Sequence, residues 1–248
     1  MSSALVMVDR SVRLSRRNLD ALLTALMLPI MLMLLFVYLF GGAIETGTKY
    51  VTYVVPGVIM LCAAFGASTT AVSVSQDVTG GIVDRFRSMD VGGVAFLTGH
   101  VVASVIRNVA STLLVLGIAL IIGFRPTAGP LEWLAAAGAL LLFVFAISWL
   151  SAAVGLLVRS AEAAGGFTFF VMFLPYPSSA FVPIDTMPGW IHGFAEHQPA
   201  TPIIETLRGL MLGTDLGTAP WLALAWSGGI LLVSVAAAGA LFRRRTAA

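Results

Sequence analysis

The hydrophobic residues of this chain form long unbroken blocks, without the polar face that a soluble helix or strand would show. A bilayer core of roughly 30 Å needs about 20 apolar residues in a helix. Six blocks meet this length, at residues 21–40, 51–74, 101–123, 131–158, 163–182 and 219–242. Because lipid cannot satisfy an open backbone, each block is predicted to be helical. The predicted fold is therefore an all-α polytopic membrane protein with six transmembrane helices, built as one domain over residues 1–248.

Composition agrees with this class and excludes others. Hydrophobic residues make up 58% of the chain and charged residues only 10%, whereas a soluble domain carries about 25% charged residues. The net charge of +2, without a basic face interleaved with aromatics, argues against a nucleic-acid partner. Cys62 is the single cysteine, so no intrachain disulfide can form.

The distribution of basic residues predicts the orientation, because cytoplasmic loops carry the excess of Lys and Arg. With the N-terminus inside, the outer segments hold only Lys49, Arg125 and Arg208. The cytoplasmic segments then hold ten arginines: Arg10, Arg13, Arg16, Arg17, Arg85, Arg87, Arg159, Arg243, Arg244 and Arg245. We therefore expect a multi-pass protein of the plasma membrane with both termini in the cytoplasm.

Two segments outside the spans have their own patterns. In residues 4–19, Leu5, Val8 and Val12 fall near one helical face and arginines on another, which predicts a helix lying in the membrane interface. A frayed basic tail that only orients the first span is the alternative. Residues 183–215 carry prolines and short apolar pieces, and Thr201 before Pro202 marks a helix start. We expect short helices here that dip into the outer leaflet and pack on protein.

Catalytic and cofactor motifs are missing from the sequence. There is no GxSxG, no HExxH and no Walker A loop, since Lys49 is the only lysine and lies in "GTKY". We therefore predict no catalytic, metal or cofactor residues. The acidic residues all fall at span ends or in loops, which disfavours a proton-coupled carrier. Energy for uphill transport would have to come from a partner protein.

The stretch "GGIVDRFRSMDVG", residues 80–92, concentrates charges of both signs between two apolar blocks. Read as a helix, it places Ile82, Val83, Phe86 and Met89 on one face. A short amphipathic helix of this kind suits a groove on another protein. A helix lying on lipid headgroups is the alternative, although its balanced charge disfavours it, because anionic headgroups favour a basic excess.

Four stretches in this order resemble the ABC-2 type permease subunits of ABC exporters, and most of all the daunorubicin-resistance-type permeases of actinobacteria. They are "LPIMLMLLFVYLFGGAI" (28–44), "YVVPGVIMLCAAFGASTTAVSVSQDVTGGIVDRFRSMDV" (53–91), "GFRP" (123–126) and "FVPIDTMPGWIHGFAEHQPATPIIETLRGLMLG" (181–213). The resemblance implies six spans, a second permease copy, and a separate ATP-binding subunit that holds ATP and Mg. It also implies re-entrant helices in the outer segment.

The resemblance further implies that the loop at residues 77–92 couples the permease to its ATPase. The family's common form has consecutive acidic and basic residues where this chain has Gln76 before Asp77. The candidate coupling residues are Asp77, Gly80, Gly81, Asp84, Arg85, Phe86, Arg87, Met89 and Asp90.

The expected substrate is a hydrophobic or amphipathic compound such as a drug, a polyketide or a lipid, because Arg107 is the one charged residue well inside a span and its side chain can snorkel to the cytoplasmic surface. Its path is expected along spans one, two and five. The candidate lining residues are Phe36, Tyr38, Phe65, Phe169 and Phe170, with ordinary packing as the alternative for each. Two other functions remain open: an ion- or proton-coupled secondary transporter, and a non-transporting membrane scaffold subunit.

Overall fold

The computed structural model describes residues 19–44, 46–80 and 93–247, with side chains for 27–44, 46–80 and 96–243. Apart from Leu19, the predicted interfacial helix at residues 4–19 lies outside the described residues. Within them the secondary structure is helical, and no strand occurs.

The helices follow one another with short connections. They are α1 (Leu19–Leu34) with a π-helical continuation (Leu35–Phe40), α2 (Tyr50–Ser68), α3 (Thr70–Thr79), α4 (Gly93–Ile122), α5 (Pro130–Leu157), α6 (Ala161–Phe173), a 3₁₀ turn (Ile184–Thr186), α7 (Gly189–His197), α8 (Ala200–Leu212) and α9 (Ala219–Ala247).

Four helical runs in the described part of the chain are long and apolar enough to cross a membrane. They are Tyr50–Thr79, which joins α2 and α3, together with Phe96–Ile122, Pro130–Leu157 and Ala219–Arg243. These runs coincide with the predicted spans two, three, four and six. Two shorter apolar helices, Met27–Phe40 and Ala161–Phe173, fall where spans one and five were predicted.

The helix in the fifth predicted span is shorter than expected. The sequence predicted a helix through residue 182, but α6 ends at Phe173 and residues 174–182 form turns. Pro175 and Pro177 explain the difference, because proline lacks a backbone donor and disfavours helical geometry in the residue before it. The Ser178 hydroxyl donates to the Pro175 carbonyl and stabilises the turn.

The run α2–α3 lies at the centre of the bundle. Of its most apolar 18-residue stretch, 78% is buried, compared with 17% for α4 and 22% for α9.

We call the end of the bundle where α3 ends and α4 begins the lower end. The end where α4 ends and α5 begins is the upper end. A large apolar cluster fills the upper and middle bundle, and a smaller one around Val74, Phe96 and Leu156 fills the lower end.

Glycines allow the backbone of the central run to approach its neighbours closely. A Cβ atom on Gly57 of α2 would lie 2.7 Å from the Ala180 Cα atom and 2.7 Å from its carbonyl oxygen. A Cβ atom on Gly155 of α5 would lie 2.6 Å from the carbonyl oxygen of Ala71 in α3. Both neighbours are backbone atoms, so a larger residue could be accommodated only by moving the chain.

We therefore expect Gly57→Ala to destabilise the protein by about 1–3 kcal/mol through overpacking, although alanine is the better helix former. Gly138→Ala in α5 is the matched control, because a Cβ atom there meets nothing within 4 Å. The thermal unfolding midpoints of the two purified variants test this difference. Equal midpoints would show that the contact at Gly57 does not constrain the bundle.

Candidate functional site

At the lower end, a hydrogen bond between Asp77 and His100 joins the two helices that flank residues 81–92. The Asp77 carboxylate in the last turns of α3 lies 3.2 Å from the Nε2 atom of His100 in α4. Both side chains are largely buried, with 18% and 11% of their surface exposed. Gly80 follows at the end of α3, and α4 begins at Gly93. The pair therefore holds the two ends of the loop together.

Apolar side chains pack around the hydrogen bond between Asp77 and His100. The Phe96 ring meets the His100 ring edge-on, with centroids 4.9 Å apart, and lies 6.5 Å from the Phe242 ring of α9. Leu97 and Trp149 belong to the same buried cluster. Because α3, α4, α5 and α9 all contribute to the cluster, His100 sits on a packed base.

Of the predicted coupling residues, the structure describes Asp77 and Gly80. The other seven lie outside the described residues: Gly81, Asp84, Arg85, Phe86, Arg87, Met89 and Asp90. His100 was not among the residues predicted from the sequence. Its separation of 23 positions from Asp77 gives no local signal for the pairing.

At the upper end, Arg208 of α8 is buried with only 7% of its surface exposed. Its guanidinium donates to the Glu205 carboxylate at 2.5 Å, to the Ser179 carbonyl at 2.7 Å and to the Tyr53 carbonyl at 3.2 Å. It also lies 4.0 Å from the centroid of the Tyr53 ring, within cation–π range. The planar fork of arginine suits this arrangement, since one group reaches three acceptors.

Another hydrogen bond also connects α2 to the turns at residues 174–182. The Tyr50 hydroxyl at the start of α2 donates to the Phe181 carbonyl at 2.8 Å. Arg208 and Tyr50 thus connect α2, the turns at residues 174–182 and α8. The sequence placed Arg208 in an outer segment and did not predict its burial. The structure assigns it to the packing of the upper end.

Between α1 and α6, aromatic rings form a continuous row. In order, its neighbouring centroids are separated by 5.5, 4.5, 5.2, 5.3 and 4.7 Å. The row consists of Phe40, Phe36, Phe181, Tyr176, Phe173 and Phe169. Such spacings are those of stacked or tilted aromatic pairs.

The five predicted path residues separate into three groups. Phe36 and Phe169 belong to the aromatic row. Tyr38 and Phe170 point away from the bundle, with 71% and 69% of their surface exposed. Phe65 is partly buried in α2. Phe173, Tyr176 and Phe181 were not predicted as members of the row, because residues 163–182 were predicted to form one regular span.

Within the described residues, no group of three or more His, Cys, Asp or Glu side chains is arranged to hold a metal ion. The arrangement offers instead two fixed ends of the central run, an aromatic row beside it, and apolar outer surfaces.

Comparison with known proteins agrees with this description. The sequence profile of the ABC-2 type transporter family matches residues 3–212. The chain therefore belongs to the ABC-2 type transporter family. The described part of the chain contains four helices long and apolar enough to cross a bilayer, and the protein is an integral membrane protein.

The relatives narrow this class further. The chain is 31% identical over 232 residues to the daunorubicin resistance ABC transporter permease protein DrrB1 of Streptomyces coeruleorubidus, covering 91% of this chain and 81% of the relative. It is 24% identical over 246 residues to the probable doxorubicin resistance ABC transporter permease protein DrrC of Mycobacterium tuberculosis, covering 98% and 89%.

We expect Arg208→Ala to loosen the upper end, because the buried Ser179 carbonyl would lose the donor that Arg208 supplies, at a cost of about 1–3 kcal/mol. The measurements are the thermal unfolding midpoint and the rate of limited proteolysis within residues 183–199. The unfolding midpoint and proteolysis rate of Arg208→Lys should lie between those of wild type and Arg208→Ala, since one ammonium group cannot replace the forked guanidinium.

Arg125→Ala is the control, because this arginine also donates to backbone carbonyls, of Leu120 and Phe124, but is exposed. It should change neither measurement appreciably. If Arg208→Ala is no more sensitive to protease than Arg125→Ala, Arg208 does not anchor the upper end.

Proposed function

We propose that this chain is the membrane permease subunit of an ATP-driven exporter. It would move a hydrophobic or amphipathic compound, such as a drug, a polyketide or a lipid, out of the cytoplasm or the inner leaflet. The observation that carries this proposal is the match of residues 3–212 to the ABC-2 type transporter family. The names of the relatives, which refer to daunorubicin and doxorubicin resistance, support export of a large amphiphile.

The proposed topology has six spans in the plasma membrane with both termini in the cytoplasm. The lower end then faces the cytoplasm. Span one is formed by α1 with its π-helical continuation, and span five by α6 with the turns that follow it. The excess of arginine at the lower end supports this orientation. Residues 4–19 are proposed to lie in the interface.

Residues 183–215 are proposed to form the re-entrant outer segment. Their helix α8 buries Ile203, Ile204 and Leu207 against the bundle. Buried apolar packing of this kind supports a segment held on protein at membrane depth, where an exposed loop would be costly.

A separate subunit is proposed to bind ATP and Mg and to act on the loop at residues 77–92. Asp84, Arg85, Phe86, Arg87, Met89 and Asp90 would form the contact, with Gly81 beside Gly80 at its start. The hydrogen bond between Asp77 and His100 supports this assignment. Because it joins the two ends of the loop, a push on the loop would reach α3 and α4 together.

A second copy of the permease is proposed to complete the path. One face of α1 and α6 exposes Tyr38, Leu39, Phe169 and Phe170 to between 60% and 71% of their surface. The aromatic row beginning with Phe36 lies beside this face. Aromatic surface that is apolar and adaptable suits an amphipathic substrate with planar rings.

The first test is ATP-dependent uptake of daunorubicin into inverted vesicles, whose cytoplasmic face is outside and which contain the chain and its ATP-binding partner. We expect transport to require ATP, to stop when the partner's Walker A lysine is replaced, and to survive collapse of the proton gradient. Transport without ATP that stops with the proton gradient would favour a secondary carrier. Absence of transport for daunorubicin and lipid substrates alike would favour a scaffold subunit.

The second test concerns the coupling loop. Phe86→Asp, and Arg85 and Arg87 changed together to Glu, should abolish ATP-dependent export and weaken co-purification of the ATPase, because both changes disrupt the docking face. Membrane insertion should survive, as judged by protein level in the membrane fraction.

Arg125→Glu is the matched control for charge reversal, since this residue lies at the opposite end of the bundle and is exposed. It should transport normally. Normal transport and normal ATPase binding by both loop variants would show that the loop is not the coupling element.

A further inference from the structure

A narrow crevice opens between α4 and α5. Its volume is about 190 Å³, more than ten times the ~15 Å³ that one water molecule requires. Ile59 of α2 and Met211 of α8 contribute to its lining, and Val109 and Leu113 of α4 form one wall. Val109 and Leu113 are 41% and 62% exposed, so the crevice opens sideways, toward lipid.

The crevice has the length of one leaflet. Along α5 its lining extends from Trp133 to Val144, which is roughly 16 Å at the helical rise of about 1.5 Å per residue. Half of a hydrocarbon core of about 30 Å is ~15 Å. Trp133 lies three residues after the start of α5 at Pro130. This position near the helix end suits the preference of tryptophan for the membrane interface.

Polar groups close the deep end of the crevice. Asn108 lines it there and is 2% exposed. Its side-chain nitrogen donates to the Ser104 carbonyl at 3.0 Å, and the Ser104 and Ser148 hydroxyls lie 2.8 Å apart. Apart from Asn108 and Thr112 the lining is apolar, and it contains no charged residue. The crevice is therefore an apolar slot with a polar floor at the middle of the membrane.

We propose that this slot holds one acyl chain of a phospholipid from the leaflet that contains the α4–α5 connection. The ester end of the chain lies near Trp133 and its methyl end near Val144 and Asn108. A linear apolar chain of one-leaflet length fits the lining, the length and the lateral opening together. The inference does not depend on the proposed export function or on the orientation of the chain in the membrane.

The test uses the full-length chain in nanodiscs of phosphatidylcholine, doped with a phosphatidylcholine that carries a diazirine near the end of one acyl chain. After illumination, cross-linked peptides are mapped by mass spectrometry. We expect labelling to concentrate on the deep end of the slot, at Asn108, Thr112 and Val144. Leu134 and Ile121, which are exposed near the upper end, should receive little label.

Ala137→Phe places a ring in the slot and should abolish labelling of Val144, because Ala137 lines it. Ala135→Phe is the matched control, since Ala135 is exposed on the same helix but does not line the slot. It should be labelled like wild type. Leu113→Trp fills the slot from α4 and gives a second variant should Ala137→Phe fail to fold, as judged by gel filtration.

Three results would overturn the inference. Label spread evenly over the exposed residues of α4 and α5 would mean that lipid contacts the protein surface without entering the slot. Displacement of the label by daunorubicin would mean that the slot takes an apolar transported compound. Disulfide formation between two copies of an Ala137→Cys variant would mean that a second copy covers the slot.

Discussion

The close backbone approach of the central run α2–α3 to its neighbours is the constraint on which the rest of the bundle depends. In lipid, helices gain little from hiding apolar surface from one another, so association relies on dense contacts and small residues. Gly57 of the central run lies close to the backbone of Ala180, and Gly155 of α5 lies close to the backbone of Ala71 in the central run. These contacts set the spacing from which the upper and lower ends of the bundle are built.

Much of the fold was predictable, because long apolar runs can only be helices in a bilayer. The helices over residues 51–74, 101–123, 131–158 and 219–242 follow from length alone. Pro175 and Pro177 mark the end of α6 at Phe173 in the sequence. The prediction followed the apolar composition of residues 174–182 instead and extended the helix through them. Apolar composition indicates that a segment can lie in the membrane, whereas a proline determines whether the segment can remain helical there.

The site was predictable only in part. The loop at residues 77–92 stands out by charge, and Phe36 and Phe169 were identified as path candidates from their type. The pairing of Asp77 with His100, and the burial of Arg208, depend on how separate helices pack. A single sequence without tertiary contacts contains no local signal for either. Charge counting treated Arg208 as a loop residue, although its guanidinium satisfies two backbone carbonyls in the interior.

The central run is fixed at both of its ends, and this gives it a mechanical property. Tyr53 is held by Arg208 near one membrane face, and Asp77 by His100 near the other. Between them the 30-residue run is interrupted at Thr69, where α2 ends and α3 begins, and the hydroxyls of Ser68 and Thr69 donate to the carbonyls of Phe65 and Gly66. A torque applied at one face must therefore be absorbed as torsion at this joint or be felt across the whole membrane.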